Sequence, residues 1–254
     1  MSCPGRSITW RVAPPDVRRA LDLHVFGLSW DVIWRNRNEF LWGLALGLKL
    51  AVIGLAVACV IGLLVAFART SRYRWLRSIA GAYVEFIRNI PLLLILFFLY
   101  FGVPMWAYSA VPRGLADFLV MDGDNTTIVG LAIYGGAYLA EVFRAGILNV
   151  SRGFMEAGRS LGLSGTQIAR HVTLPIMFRT VLPSLSNTFI SLFKDTSLAM
   201  AIAVPELTFV TRKVVTDTFQ YIQAWTTAAV LYLVTTYAIA ALLRFLERRI
   251  RWTV

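Results

Sequence analysis

Covalent chemistry needs nucleophiles, acids, bases or metal ligands at usable spacing, and this sequence places few of them together. A phosphate-binding loop requires Gly-Lys followed by Ser or Thr. The lysines are Lys49, Lys194 and Lys213, and none follows a glycine, so ATP hydrolysis on this chain is excluded. His24 and His171 lie far apart with no HExxH context, so zinc lacks ligands, and His171 reads as a solvated loop residue. One GxSxG string occurs, Gly158-Arg-Ser-Leu-Gly162. A nucleophile elbow needs a strand before its serine and an acid and a histidine after it. No acid stands between Ser160 and His171, and the match is read as chance.

The informative polar residues sit inside an apolar block. Ser184, Thr188, Ser191 and Asp195 recur at intervals of 4, 3 and 4, which places them on one face of a helix. Asn187 and Lys194 flank that face. Ionisable groups within a membrane are costly and face a bundle interior or a water path. The stripe therefore reads as the lining of a translocation path. The competing reading is helix–helix glue by Ser and Thr, which does not call for the Asp195 carboxylate. Lys194 is a poor partner for Asp195, because adjacent helical residues point about 100° apart. Gly130, Tyr134, Tyr138 and Glu141 form a similar stripe, but Glu141 and Arg144 at i,i+3 read as a structural pair. The pattern is that of a conduit, with no cofactor or metal held on this chain.

The elements that must position these residues follow from composition. Of 254 residues, 57 % are hydrophobic and 15 % charged, against about 25 % charged in soluble domains. The apolar residues fall in long blocks, so the chain is expected to be an all-α polytopic membrane protein. Five spans of about 20 residues are expected, near 40–68, 79–106, 127–143, 181–204 and 224–246. Residues 1–39 form an N-terminal extension, of which Leu28–Phe40 reads as an interfacial amphipathic stretch. Residues 40–254 form the transmembrane domain. The net charge of +11 reads as arginine anchoring at lipid headgroups; nucleic-acid binding would need a soluble basic face, and none is present. The segment after the first span carries Arg69, Arg72, Arg74 and Arg77 with no acid, and the segment after the third and the C-terminal tail are also Arg-rich. The positive-inside rule puts these three in the cytoplasm, giving an outside N-terminus and an inside C-terminus. The arginines of the first 39 residues run against that orientation.

The segment from Ser151 to Pro175 specifies two short helices and a sharp turn. The first ends at Gly162, a left-handed C-terminal cap. Ser164-Gly-Thr-Gln167 is a capping box that opens the second, which runs towards Pro175. An interfacial hairpin and a docking knob for a soluble partner both fit this pattern. A helix-turn-helix for DNA does not suit a segment tethered to a bilayer at both ends.

Here the residues resemble a family. Glu156-Ala157-Gly158, Gly162, Val172, Leu174 and Pro175 stand at the spacing EAA-x3-G-x9-I-x-LP, similar to the signature loop of permease subunits of bacterial ATP-binding-cassette importers. Gly158 replaces the second Ala and Val172 the Ile. Tyr83-Val-Glu-Phe-Ile-Arg-Asn-Ile-Pro-Leu-Leu93, Gly135–Gly146, Ile190–Leu198 and Pro205-Glu-Leu-Thr208 resemble further segments of the polar amino-acid branch, in family order. The resemblance implies the type I importer permease fold in the bacterial inner membrane. It implies a second permease subunit, identical or paralogous, two ATPase subunits that hold ATP and Mg, and an extracytoplasmic substrate-binding protein. It assigns Glu156 to polar docking on the ATPase, Ala157 and Gly158 to close approach, and Gly162 to the turn. Some permeases for basic amino acids carry Glu where this chain has Thr188, so a neutral or acidic amino-acid substrate is expected. A self-sufficient secondary transporter or channel remains the alternative, although no inverted repeat is visible.

Overall fold

The computed structural model describes residues 30–250, and among these every regular element is helical. The expected extension up to residue 29 and the tail from Arg251 lie outside the described residues. Helix α1 runs Asp31–Thr70, α2 Arg74–Arg88, α3 Leu92–Phe97, α4 Val103–Ala110, α5 Arg113–Leu119 and α6 Gly123–Leu148. Helix α7 spans Arg152–Ser160, α8 Gly165–Ile168, α9 Leu174–Asp195, α10 Leu207–Thr218 and α11 Tyr221–Ile250.

Four of these stretches are long and apolar enough to cross a membrane: Asp31–Thr70, Leu92–Ala110, Gly123–Leu148 and Tyr221–Arg249. Several expected boundaries are corrected. The first span is the inner part of a longer helix, since α1 already begins at Asp31, inside the segment read as interfacial. The second, expected as one element over 79–106, is broken: α2 ends at Arg88, Asn89 leaves helical geometry, and the chain restarts after Pro91. Proline disfavours helix at the residue before it and lacks an N–H of its own, which explains the break. The expected fourth span, 181–204, is helical only to Asp195, followed by a tight 3₁₀ segment, Thr196–Ile202, and a left-handed Ala203. Its helix is not among the four apolar ones, because Ser184, Asn187, Thr188 and Ser191 dilute its apolar content.

Two proline sites share one backbone device. Pro104 follows a π-helical segment, Phe98–Gly102, and Pro175 follows another, Ala169–Thr173. A proline ring clashes with the carbonyl four residues back in an ordinary helix. The wider π turn relieves that clash, so the helix axis continues through both positions. Helices α8 and α9 therefore form one nearly continuous rod, where the sequence suggested a short helix stopping at Pro175.

Helices α1 and α6 form the centre. The buried face of α1 is built from Gly43, Gly47 and Ala51, then Gly54, Ala58, Gly62 and Ala66, with Phe40 and Leu50. Small residues four apart let two backbones approach closely, the usual solution where lipid offers no hydrophobic drive for helix association. An added Cβ at Gly62 would lie 2.7 Å from Leu139 Cβ and 3.1 Å from the Gly136 carbonyl oxygen. At Gly54 it would lie 2.9 Å from Leu131 Cβ. The opposite face of α1 exposes Val52, Val57, Val60 and Leu64.

Glu206 ties the other end of α1 to α10 and α11. Its side chain is fully buried and caps α10, accepting from Thr208 N and Phe209 N, each at 2.9 Å. The Tyr232 hydroxyl of α11 donates to it at 2.9 Å. Helix α1 closes over this knot through Gly43, where a Cβ would meet Leu207 N at 2.9 Å.

Gly62→Val should lower the stability of the purified protein by about 1–3 kcal/mol, the usual cost of overpacking. A thermal melt in detergent measures it, with Leu64→Val on the outer face as a control that stays near wild type.

Candidate functional site

Two regions gather the residues singled out in the sequence. The first is a cavity of about 400 Å³ between α6 and α9. Tyr134, Gly135 and Tyr138 line it from α6, and Asn187, Thr188, Ser191, Leu192, Lys194 and Asp195 from α9. Of the expected stripe, Thr188, Ser191 and Asp195 reach the cavity. Ser184 does not; its backbone carbonyl accepts the Thr188 hydroxyl at 3.0 Å instead.

Lys194 lines the same wall as Asp195, although the two side chains leave the helix in different directions. Helical spacing alone set Lys194 aside. Both groups border one space at the end of α9, directly before the 3₁₀ segment. Tyr134 and Tyr138 form the facing wall, with their hydroxyls 3.2 Å apart and their rings 4.9 Å apart. The Arg88 guanidinium stacks 5.1 Å from the Tyr138 ring centroid. The cavity thus presents a carboxylate, an ammonium, hydroxyls and an amide on one side and aromatic faces on the other. That set can hold a small zwitterion by its charged ends and a polar side chain by hydrogen bonds.

Glu141 lies one turn beyond Tyr138 and does not line the cavity. It is bridged by Arg69 at the end of α1 and by Arg144, whose Nε and Nη2 donate to Oε2 at 3.0 and 2.8 Å. This is the structural role its spacing to Arg144 suggested, with Arg69 as a second partner from another helix.

The second region is the hairpin of α7 and α8. Gly162 has φ of +77°, and the N–H groups of Gly162 and Leu163 donate to Arg159 O at 2.9 Å and Gly158 O at 3.1 Å. The capping box forms: Ser164 N donates to Gln167 Oε1 at 2.8 Å, and Gln167 N to Ser164 Oγ at 3.4 Å. Glu156 and Ala157 are exposed. Gly158 is buried and faces α8, where a Cβ would lie 3.2 Å from Ile168 Cγ1. Close approach at Gly158 joins the two arms of the hairpin. Leu174 packs partly buried beside Phe143 and Met177, while Pro175 is exposed at the start of α9. Sequence reasoning missed Phe154 and Leu161, which hold 53 % and 81 % of their surface open to solvent. Their signal was an apolar residue at each end of a short charged helix.

Four apolar stretches of membrane-spanning length, a polar cavity between α6 and α9 and a capped hairpin define a multi-pass membrane permease. Residues 58–252 match the family described as binding-protein-dependent transport system inner membrane component, and the chain belongs to that family. It is an inner-membrane permease subunit and not itself the ATPase, which in such systems is a separate partner. The glutamine transport system permease protein GlnP of Escherichia coli (strain K12) is 37 % identical over 223 residues, 88 % of this chain and 98 % of that one. The probable glutamine ABC transporter permease protein GlnM of Bacillus subtilis (strain 168) is 36 % identical over 87 % of this chain and 97 % of its own length. Among solved structures, an amino acid ABC transporter crystallised with histidines superposes with a TM-score of 0.76 at 28 % identity, covering 88 % of this chain and all of that one.

Proposed function

We propose that this chain carries an uncharged polar amino acid, of which glutamine is the best candidate, through the cavity between α6 and α9. The observation that carries this reading is the presence of one carboxylate and one ammonium on the same wall. Asp195 meets the α-amino group and Lys194 the α-carboxylate, and each ion pair offsets the cost of holding a charge away from water. Among the described residues the charged groups lining the cavity are Asp195 and Lys194, while Arg88 stands behind its wall, stacked on Tyr138. Asn187, Thr188 and Ser191 offer hydrogen bonds that suit a side-chain amide. The two relatives named for glutamine transport support the same substrate class. In uptake assays with the assembled importer, the wild type is expected to prefer glutamine to arginine. Thr188→Glu should shift that preference towards arginine by roughly tenfold, the effect of one carboxylate in a poorly solvated path. Preference of the wild type for arginine, or no shift in the variant, overturns the assignment.

In this reading the domain of residues 40–254 crosses the membrane five times, with the N-terminus outside. Helix α9 is the fourth crossing in chain order and joins the four apolar stretches; its polar face turns to the cavity and its apolar face packs on α1 and α6. Single cysteines at Arg74 and Gly165 should then react only with a cytoplasmic reagent, and those at Asp122 and Asp217 only with an external one. Labelling of Gly165 from outside contradicts the topology.

The α7–α8 hairpin docks on an ATPase, one of two that serve a pair of permease subunits, and a binding protein delivers substrate from outside. Glu156 and Ala157, with Phe154 and Leu161, form the contact surface. The capped hairpin and the rod of α8 and α9 transmit the movement, because a π-adapted helix carries displacement from the ATPase directly to Asp195. Gly162→Pro, which cannot adopt positive φ, and Glu156→Lys should leave ATP hydrolysis in place. Both should lower uptake about tenfold, the equivalent of 1–2 kcal/mol of backbone strain or lost contact. Parallel hydrolysis and uptake measurements separate the two effects.

A further inference from the structure

Helix α2 has two apolar faces, and only one of them is used inside the protein. Ala80, Val84 and Ile87 are buried, and Tyr83 beside them donates its hydroxyl to Ile133 O of α6 at 2.7 Å. Trp75, Ile79, Ala82 and Phe86 are exposed, and at 100° per residue they fall within about 60° of one another. Trp75, Ile79 and Phe86 keep 63 %, 63 % and 67 % of their surface open. Arg74 and Arg77 project from the polar side of the same helix, and Arg72 stands just before it.

Among the described residues these three arginines have no carboxylate partner; the ion pairs there are Arg69–Glu141, Arg144–Glu141 and Lys213–Glu39. Two of them, Arg72 and Arg77, are held by neutral groups at one end of the helix. Arg72 stacks on Tyr73, 5.0 Å from its ring centroid, and donates to its hydroxyl at 2.9 Å. Arg77 donates to the Ser71 carbonyl at 3.1 Å. Each guanidinium keeps most of its donors for another acceptor. The acid of α2, Glu85, lies near the other end of the helix.

Helix α2 also lies between two stretches of membrane-spanning length, α1 and Leu92–Ala110. It therefore sits where one apolar crossing ends and the next begins. We propose that the outer face of α2 is a docking surface for anionic phospholipid. The acyl chains cover Trp75, Ile79, Ala82 and Phe86, and the phosphate headgroup is bound by Arg72, Arg74 and Arg77. A tryptophan at the level of three guanidinium groups is the chemistry of an amphipathic helix held at the bilayer surface, and clustered arginines select negatively charged headgroups. The surface is separate from the transport cavity and from the α7–α8 hairpin, so its test stands independently of the proposed substrate.

The test uses the full chain reconstituted into bilayers mixed from phosphatidylcholine and phosphatidylglycerol, with one lipid brominated at a time. Bromine quenches tryptophan at contact, and the part due to Trp75 is the difference between wild type and Trp75→Phe. Brominated phosphatidylglycerol is expected to associate with this face roughly fivefold or more tightly than brominated phosphatidylcholine, the effect of at least one arginine near a charged surface. The preference should vanish in Arg72→Gln/Arg74→Gln/Arg77→Gln. It should also fall for the wild type in about 1 M salt, where the screening length is about 3 Å, a reading that needs no arginine variant to fold. Equal quenching by the two lipids overturns the proposal. So does a preference that survives both the substitutions and the salt. Absence of any Trp75-dependent quenching overturns it too, since a second subunit then covers the face.

Discussion

The distance at which α1 meets α6 governs the rest of the structure. Two helices in lipid gain nothing from hiding apolar surface, since the solvent is itself apolar; they associate through contact and packing. The seam meets this constraint with glycine and alanine on the buried face of α1 from Ala51 to Ala66, and with Leu131, Gly136 and Leu139 of α6 pressed against it. Because the backbones touch, the remaining helices find fixed positions around them. Helix α2 packs beside α6, and Met177 and Val181 of α9 fill the space beside Gly146.

At the far end of the seam the same closeness lets Glu206 act as a junction. A buried carboxylate is costly unless its oxygens are occupied, and here two backbone N–H groups and one hydroxyl occupy them. The cap joins the start of α10 to Tyr232 on α11, while Gly43 and Gly47 leave room for it against α1. It thereby holds the turn that follows the 3₁₀ segment, immediately beyond Asp195 and the cavity. Position at the cavity thus depends on a residue that does not line it.

Two backbone irregularities lie along the route from the hairpin to the cavity. The π segment before Pro175 keeps α8 and α9 on one line, and the helix changes pitch after Asp195. In the proposed mechanism the charged groups stand at the end of the rod, where the helix changes pitch.

Sequence alone determined the class: long apolar blocks, the absence of any phosphate-binding or metal-binding constellation, a capped hairpin and a polar stripe within an apolar segment are local properties, readable from residue type and spacing. The turn at Gly162 and the Ser164–Gln167 box were legible for the same reason, since each depends on a handful of consecutive residues. The small-residue face of α1 was written in the sequence as a four-residue rhythm, but that rhythm says only that something comes close, not what. Tertiary structure decided that α6 is the partner and that Gly158 turns inward to Ile168. It decided that Ser184 leaves the cavity while Lys194 joins it, and that α2 is a separate helix with a second apolar face. These outcomes depend on where a helix bends, which neighbour fills its groove and how far two backbones approach. Such quantities are set by contacts between segments far apart in the chain, and no local spacing encodes them.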